Sequence, residues 1–167
     1  MIALVRVDNR LLHGQILEAW VPRLKVDRIV VADDEAAASP LAQAAMVLCL
    51  PPTLPVEVLP VEKVDYAALA TGRQTVLVLF REVSAVERAV TAGLTPELAR
   101  RVNVGNVHYA PGRRAVTPSV FLSGEEIASL QALVASGFEV EARAVPSDAP
   151  AGTCQLAQKY DAGAEKR

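Results

Sequence analysis

Thr75-Val76-Leu77-Val78-Leu79-Phe80 is the clearest strand in the chain. Its residues are apolar at odd and even positions alike, so both faces must be covered and the strand belongs inside a parallel sheet. Outward from it, shorter apolar runs alternate with helical patterns. Ile2 to Val7, Arg28 to Ala32 and Val56 to Val61 read as earlier strands, and Val102 to Val107, Ala115 to Leu122 and Phe138 to Val145 as later ones. Helices are expected over Ile16 to Leu24, kinked or cut short at Pro22, and over Pro40 to Leu50 behind a Ser39 N-cap. A weaker helix is expected over Val64 to Ala70, a firm one over Val83 to Ala92, and a helical turn over Thr95 to Arg100. Ser123 with Glu126 three positions on forms a capping box for a helix that Gly137 ends. Strand alternating with helix is the pattern of an open α/β sheet.

The chain has 167 residues, enough for one domain with a sizeable core. Aromatic residues make up only 4%, so that core must be built from Val, Leu, Ala and Ile. The net charge is -2 with acids and bases interspersed, which argues against nucleic acid as a partner. Apolar runs fall short of the ~20 residues that cross a bilayer. Arg6 interrupts the apolar start and no basic segment precedes it, so a secretory signal peptide is not expected. Cys49 and Cys154 lack metal-type spacing, which suits a reducing cytoplasm.

In open α/β sheets ligands bind beyond the carboxyl ends of strands. The segment after the first strand, Asp8-Asn9-Arg10-Leu11-Leu12-His13-Gly14-Gln15, places a carboxylate, a guanidinium and an imidazole at the start of a helix. A neutral imidazole, with an unperturbed pKa of about 6.5, is a good nucleophile near pH 7. A phosphoryl group on His13 would face the backbone N–H groups and positive dipole end of that helix. Arg10 can offer a bidentate fork to its oxygens, Gly14 leaves room beside the ring, and Asp8 can fix the ring tautomer. The bland reading of His13 is a helix-capping histidine satisfied in a polar crevice.

Val5 to Gln15 resembles the "R-I-D-D-R-L-I-H-G-Q" signature of mannose/fructose/sorbose-family IIB subunits of the bacterial phosphotransferase system (PTS). Arg28 to Glu35 resembles the family's second strand and its acidic exit, and Val102-Asn103-Val104-Gly105-Asn106 its "I-N-I-G" segment. Val116 to Leu122 and Glu139 to Pro146 match the last two strands, so the similarity covers roughly residues 1 to 148. The resemblance implies a three-layer α/β/α sandwich, its open sheet mainly parallel in the order 3-2-4-1-5-6. It implies a PTS IIB domain over 1–148. The chain resembles the family less after Ser147. There its Ala-, Gly- and charge-rich composition suggests a C-terminal tail at 149–167 that is partly helical or disordered, with only a marginal helix over Gln155 to Tyr160. The resemblance further implies a cytoplasmic protein-phosphohistidine–sugar phosphotransferase. His13 would accept phosphate from the phosphorylated IIA subunit and pass it to a sugar at the membrane IIC and IID subunits. Contact with the membrane would come through those partners alone. No cofactor is implied.

The same order would set the loops after strands four and five beside His13. Gly14, Gln15, Arg81, Asn106 and His108 are then candidates for contact with phosphate or partner, against solvated-charge or turn roles for the last three. A metal site from the two histidines is not expected. Asp33 and Asp34 read as helix caps and Trp20 as half-buried packing at a helix edge. Asn9 stands where the family usually carries a second aspartate. Rival functions are a regulatory phosphoprotein using the same relay, a hydrolase with His13 as base, and a nucleotide-binding module. The hydrolase lacks a visible nucleophile or metal, and no glycine-rich phosphate loop follows any strand.

Overall fold

A computed structural model describes residues 1–163. Seven strands form one sheet in the order β3-β2-β4-β1-β5-β8-β9. They are β1 (Ile2–Asp8), β2 (Arg28–Ala32), β3 (Val56–Leu59), β4 (Val76–Phe80), β5 (Arg101–Asn106), β8 (Glu139–Ala142) and β9 (Ala151–Gly152). All neighbours run parallel except the short edge strand β9, which pairs antiparallel with β8. The expected order holds through the fifth strand, and β8 fills the sixth place.

Ala115 to Leu122 is not that sixth strand. It folds back on itself as β6 (Arg114–Thr117) and β7 (Val120–Leu122), a separate two-stranded ribbon. Pro118 removes a donor from the middle of the run, so the chain turns there instead of continuing. The ribbon hangs on the end of β5, where Val107 N–H donates to the Ser119 carbonyl and Phe121 N–H to the Val107 carbonyl, each at 3.0 Å.

Every residue of β4 is buried, as its two-faced apolar pattern requires. Two cores result. Val5, Val7, Val78 and Phe80 lie in one, under α5 (Val83–Thr91) and α6 (Gly124–Ala135). Leu4, Leu77 and Leu79 lie in the other with Leu11, Ile16 and Trp20. Fully burying each such side chain is worth about 1.5–3 kcal/mol.

Local signals account for the helix ends. Ser39 caps α3 (Pro40–Leu48), and Asp33 caps α2 (Asp34–Ala37) by accepting from Ala36 N–H at 2.8 Å. Asp65 caps α4 (Tyr66–Thr71), and the capping box of Ser123 and Glu126 opens α6. The first helix is irregular: Ile16–Trp20 is a π-helical turn that runs into α1 (Val21–Leu24). The widened turn sits just before Pro22, which has no N–H to continue the α ladder. Thr95 to Arg100 makes a turn and no helix. Beyond residue 148, α7 (Thr153–Ala162) is a ten-residue helix whose Leu156 is fully buried, longer than the marginal element its composition suggests.

Candidate functional site

The site grows from the alternation of β1. Val5 and Val7 enter one core, so Leu4, Arg6 and Asp8 face the other side, beneath the first helix. Asp8 is fully buried at the carboxyl end of β1. Its Oδ2 lies 2.8 Å from Arg6 Nη2 and 2.9 Å from His13 Nε2. Its Oδ1 accepts from the Arg10 backbone N–H at 3.1 Å and from Asn106 Nδ2 at 3.4 Å.

Burial alone would push the Asp8 carboxyl up. The hydrogen bond from His13 and the charge of Arg6 outweigh it and hold the carboxyl below its ordinary value. An ionised Asp8 only accepts, so His13 Nε2 carries a proton, and in the neutral ring the lone pair is then on Nδ1. Among the described residues, none is hydrogen-bonded to Nδ1.

The turn that delivers His13 is tight. Leu11 N–H donates to the Asp8 carbonyl at 2.9 Å, and Leu11 adopts φ 54°. A branched residue in the left-handed region is strained, and burial of the Leu11 side chain in the core holds it there. His13 then sits at the head of the helix, its carbonyl accepting from Ile16 and Leu17 N–H. The N–H groups of the first turn, including Gly14 and Gln15, have no intrahelical acceptor. The His13 side chain is 13% exposed and that of Arg10 46%. Arg10 Nη2 donates to Gln15 Oε1 at 3.0 Å, and its Nε stands 3.9 Å from Asp8 Oδ1. The surroundings of Gly14 are open: a Cβ there would meet only Glu18 Oε1, at 4.0 Å.

Asn106 and His108 join this group, since Asn106 Nδ2 also lies 3.1 Å from His108 Nε2. Arg81 does not. Its guanidinium is held by both carboxylate oxygens of Asp33 at 2.8 Å, and only its carbonyl takes part, accepting from Asn9 Nδ2 at 2.7 Å. Asn9 fastens three loops together. Besides Arg81, it accepts from His108 N–H at 2.6 Å through Oδ1 and donates its own N–H to the Asn106 carbonyl at 2.9 Å. A carboxylate at this position would have no N–H for the Arg81 carbonyl. No group of three potential metal ligands occurs among the described residues.

Sequence reasoning overlooked the buried support. Arg6 is fully buried, bonded through Nη1 to Asn103 Oδ1 and to the Arg143 carbonyl. Burial draws its guanidinium below its ordinary value, opposed by the Asp8 charge. Arg6 Cζ lies 5.2 Å from the Trp20 ring centroid and Arg143 Cζ 5.4 Å from it. Trp20 is therefore no half-buried edge residue. It is 2% exposed, stacks with both guanidinium groups, and donates Nε1–H to the Ala144 carbonyl at 3.0 Å.

Gly105 is left over where the β1–β5 register shifts, between the pairs Val7↔Val104 and Asp8↔Asn106. A Cβ on it would lie 1.9 Å from Arg6 Cζ. Two signals in the sequence pointed here: an arginine within an apolar strand, and a glycine inside a run of strand-forming residues.

Comparison with known proteins agrees with this architecture. The profile of the "PTS system sorbose subfamily IIB component" matches residues 2–166. The mannose-specific EIIAB component of Escherichia coli K12 is 31% identical over 163 residues, covering 96% of this chain and 50% of that protein. The chain thus spans half the length of that relative. The Bacillus subtilis fructose-specific EIIB component is 29% identical over 93% of this chain and 94% of its own length. Among solved structures, manxB from Thermoanaerobacter tengcongensis superposes with a TM-score of 0.83 at 27% identity, over 96% of both chains. The IIBSor domain of the Klebsiella pneumoniae sorbose permease gives 0.83 at 25% identity, over 95% of this chain and 97% of that one. The chain belongs to the sorbose-subfamily IIB components of the PTS.

Proposed function

We propose that this chain is a phosphocarrier. His13 accepts a phosphoryl group from a phosphohistidine on a IIA subunit and passes it to a sugar at the membrane IIC and IID subunits. One observation carries the reading. Asp8 holds His13 Nε2–H at 2.9 Å, which leaves Nδ1 as the nucleophile at the head of a helix with Arg10 beside it.

The transfer balances on these groups. The lone pair of His13 Nδ1 forms the new N–P bond while the donor's N–P bond breaks, and the donor imidazole keeps those electrons. The phosphorylated ring, still protonated at Nε2, is cationic and is neutralised by Asp8. Arg10 and the helix-head N–H groups meet the phosphoryl oxygens, which is the charge stabilisation that in-line phosphoryl transfer requires. In the second step a sugar hydroxyl oxygen forms the new O–P bond while the N–P bond breaks and its electron pair returns to Nδ1. The hydroxyl proton passes to a base at the sugar site of the membrane subunits or to water. The acceptor is a hexose-type sugar, a class that includes the mannose, fructose and sorbose named for relatives.

No described helix is long and apolar enough to cross a membrane. It is the carrier role, and not this absence, that implies work in the cytoplasm, with the membrane met through the partners.

The test is phosphoryl transfer from labelled phosphoenolpyruvate through the general PTS proteins and a mannose-family IIA. Acid-labile, base-stable label that disappears in His13→Ala supports the relay. Normal labelling of His13→Ala refutes it.

A further inference from the structure

Aromatic residues are scarce: three phenylalanines, three tyrosines and one tryptophan. Trp20, Tyr66, Phe80 and Phe138 are buried, and Phe121 and Tyr160 are partly covered. Tyr109 alone stands in solvent, 64% exposed. It does so on a loop bonded to the one that carries His13. His108, the residue before it, meets Asn106, whose amide reaches Asp8, and Asp8 holds His13.

The loop that carries Tyr109 is firmly tied. His108 N–H donates to Asn9 Oδ1, and the His108 carbonyl accepts from Arg113 Nη1 at 3.1 Å. Arg113 is itself locked to Glu126 by two bonds, at 2.9 and 2.6 Å. The tyrosine ring meets Phe121 edge-on, with centroids 6.0 Å apart and planes at 82°. A large amphipathic side chain thus projects from a fixed loop in a set orientation, so little entropy remains to be lost on contact. Tyrosine is among the residues that dominate protein–protein contacts.

We propose that Tyr109 is the docking anchor for the protein that loads His13, the phosphorylated IIA subunit; this rests on the phosphocarrier reading above. A sugar platform is the poorer fit. Sugars and other small ligands are held in concave sites, whereas this ring projects outward and lines none of the principal cavities. A projecting ring fits a recess on a second protein. The loop that carries it is bonded to the His13 loop through His108 N–H and Asn9 Oδ1, so a partner that docks on the His13 loop has this loop as its neighbour.

The experiment compares wild type, Tyr109→Ala and Tyr109→Phe, with circular dichroism confirming that each is folded. Phosphorylated mannose-family IIA is titrated and the initial rate of His13 labelling recorded. Binding of unphosphorylated IIA is followed separately by NMR. Tyr109→Ala is expected to raise the half-saturating IIA concentration about 30-fold, the threshold of a strong anchor, with the saturating rate unchanged. Tyr109→Phe keeps the ring and should stay within about threefold of wild type.

A Tyr109→Ala titration within threefold of wild type overturns the anchor while leaving the carrier reading intact. So does a loss confined to sugar-dependent release of phosphate, which would reassign the ring to the acceptor. Tyr109-dependent binding of IIA without any labelling of wild type would keep the anchor and refute the carrier. Absence of both binding and labelling overturns both.

Discussion

Replacing Gly105 with alanine should unlock the buried support beneath His13. The new Cβ would stand 1.9 Å from Arg6 Cζ, 2.0 Å from Nη2 and 2.2 Å from Nη1. Comfortable carbon contacts begin near 3.5 Å, so the guanidinium must retreat by roughly 1.5 Å or more. The Trp20 ring already stacked on it limits where it can go. The 2.8 Å bond to Asp8 does not survive such a shift, because hydrogen bonds weaken steeply beyond about 3.2 Å. Both side chains are fully buried, so solvent screening gives no discount. Breaking a buried pair costs about 3–5 kcal/mol. For a chain of this size that corresponds to a fall in Tm of roughly 6–20 °C. Calorimetry reads the fall, and the His13 ring resonances should shift as Asp8 loses its cation. Gly152→Ala is the control: a Cβ there meets nothing within 4 Å, and Tm should move by less than about 2 °C. A Gly105→Ala protein that melts with wild type and shows unchanged His13 resonances would refute the reasoning.

Asn9→Ala removes the bond to the Arg81 carbonyl and the one from His108 N–H, and should cost about 1–3 kcal/mol by urea titration. Hydrogen exchange should quicken at His108 in the same variant. Ser123→Ala deletes one arm of the capping box on α6 and should lower stability by about 1 kcal/mol with phosphoryl transfer unaffected. Acid should destabilise the fold only below about pH 4. Burial pushes the Asp8 and Asp33 carboxyls up, but hydrogen bonds and charge from His13 and Arg6 in one case and Arg81 in the other outweigh it and hold both below the ordinary value. A carboxyl depressed in the folded state contributes stability that is complete above its unfolded pKa of about 3.9 and is lost as pH falls through the folded value. Urea midpoints taken from pH 6 to pH 2 should therefore drop most steeply below about pH 4, and less steeply in Asp33→Asn.

The strands and most helices were legible because their signals are local. Val76 to Phe80 is apolar on both faces and lies in the sheet interior, and Ser39 and Ser123 cap the helices they precede. The His13 loop was legible too, since Asp8, Arg10 and His13 are close in sequence. What stayed hidden depends on partners distant in the chain. Arg6 reads as an interruption until Asn103, Gly105 and Arg143 are brought around it by strand pairing and loop return. Trp20 reads as edge packing until two guanidinium groups stack on it. Arg81 reads as a solvated charge or a phosphate or partner contact, because nothing in its own neighbourhood points back to Asp33. Ala115 to Leu122 reads as one strand because its apolar run is continuous, although Pro118 marks the turn of the ribbon it forms.

The central claim is that Asp8 reserves Nδ1 of His13 for phosphorus. It is tested most directly by NMR of the protein carrying 15N-labelled histidine, phosphorylated through a mannose-family IIA. A phosphorus–nitrogen coupling to Nδ1 of His13, with Nε2 still protonated, is the predicted result. A coupling to Nε2, or phosphate found on His108 or any other residue, would contradict the account.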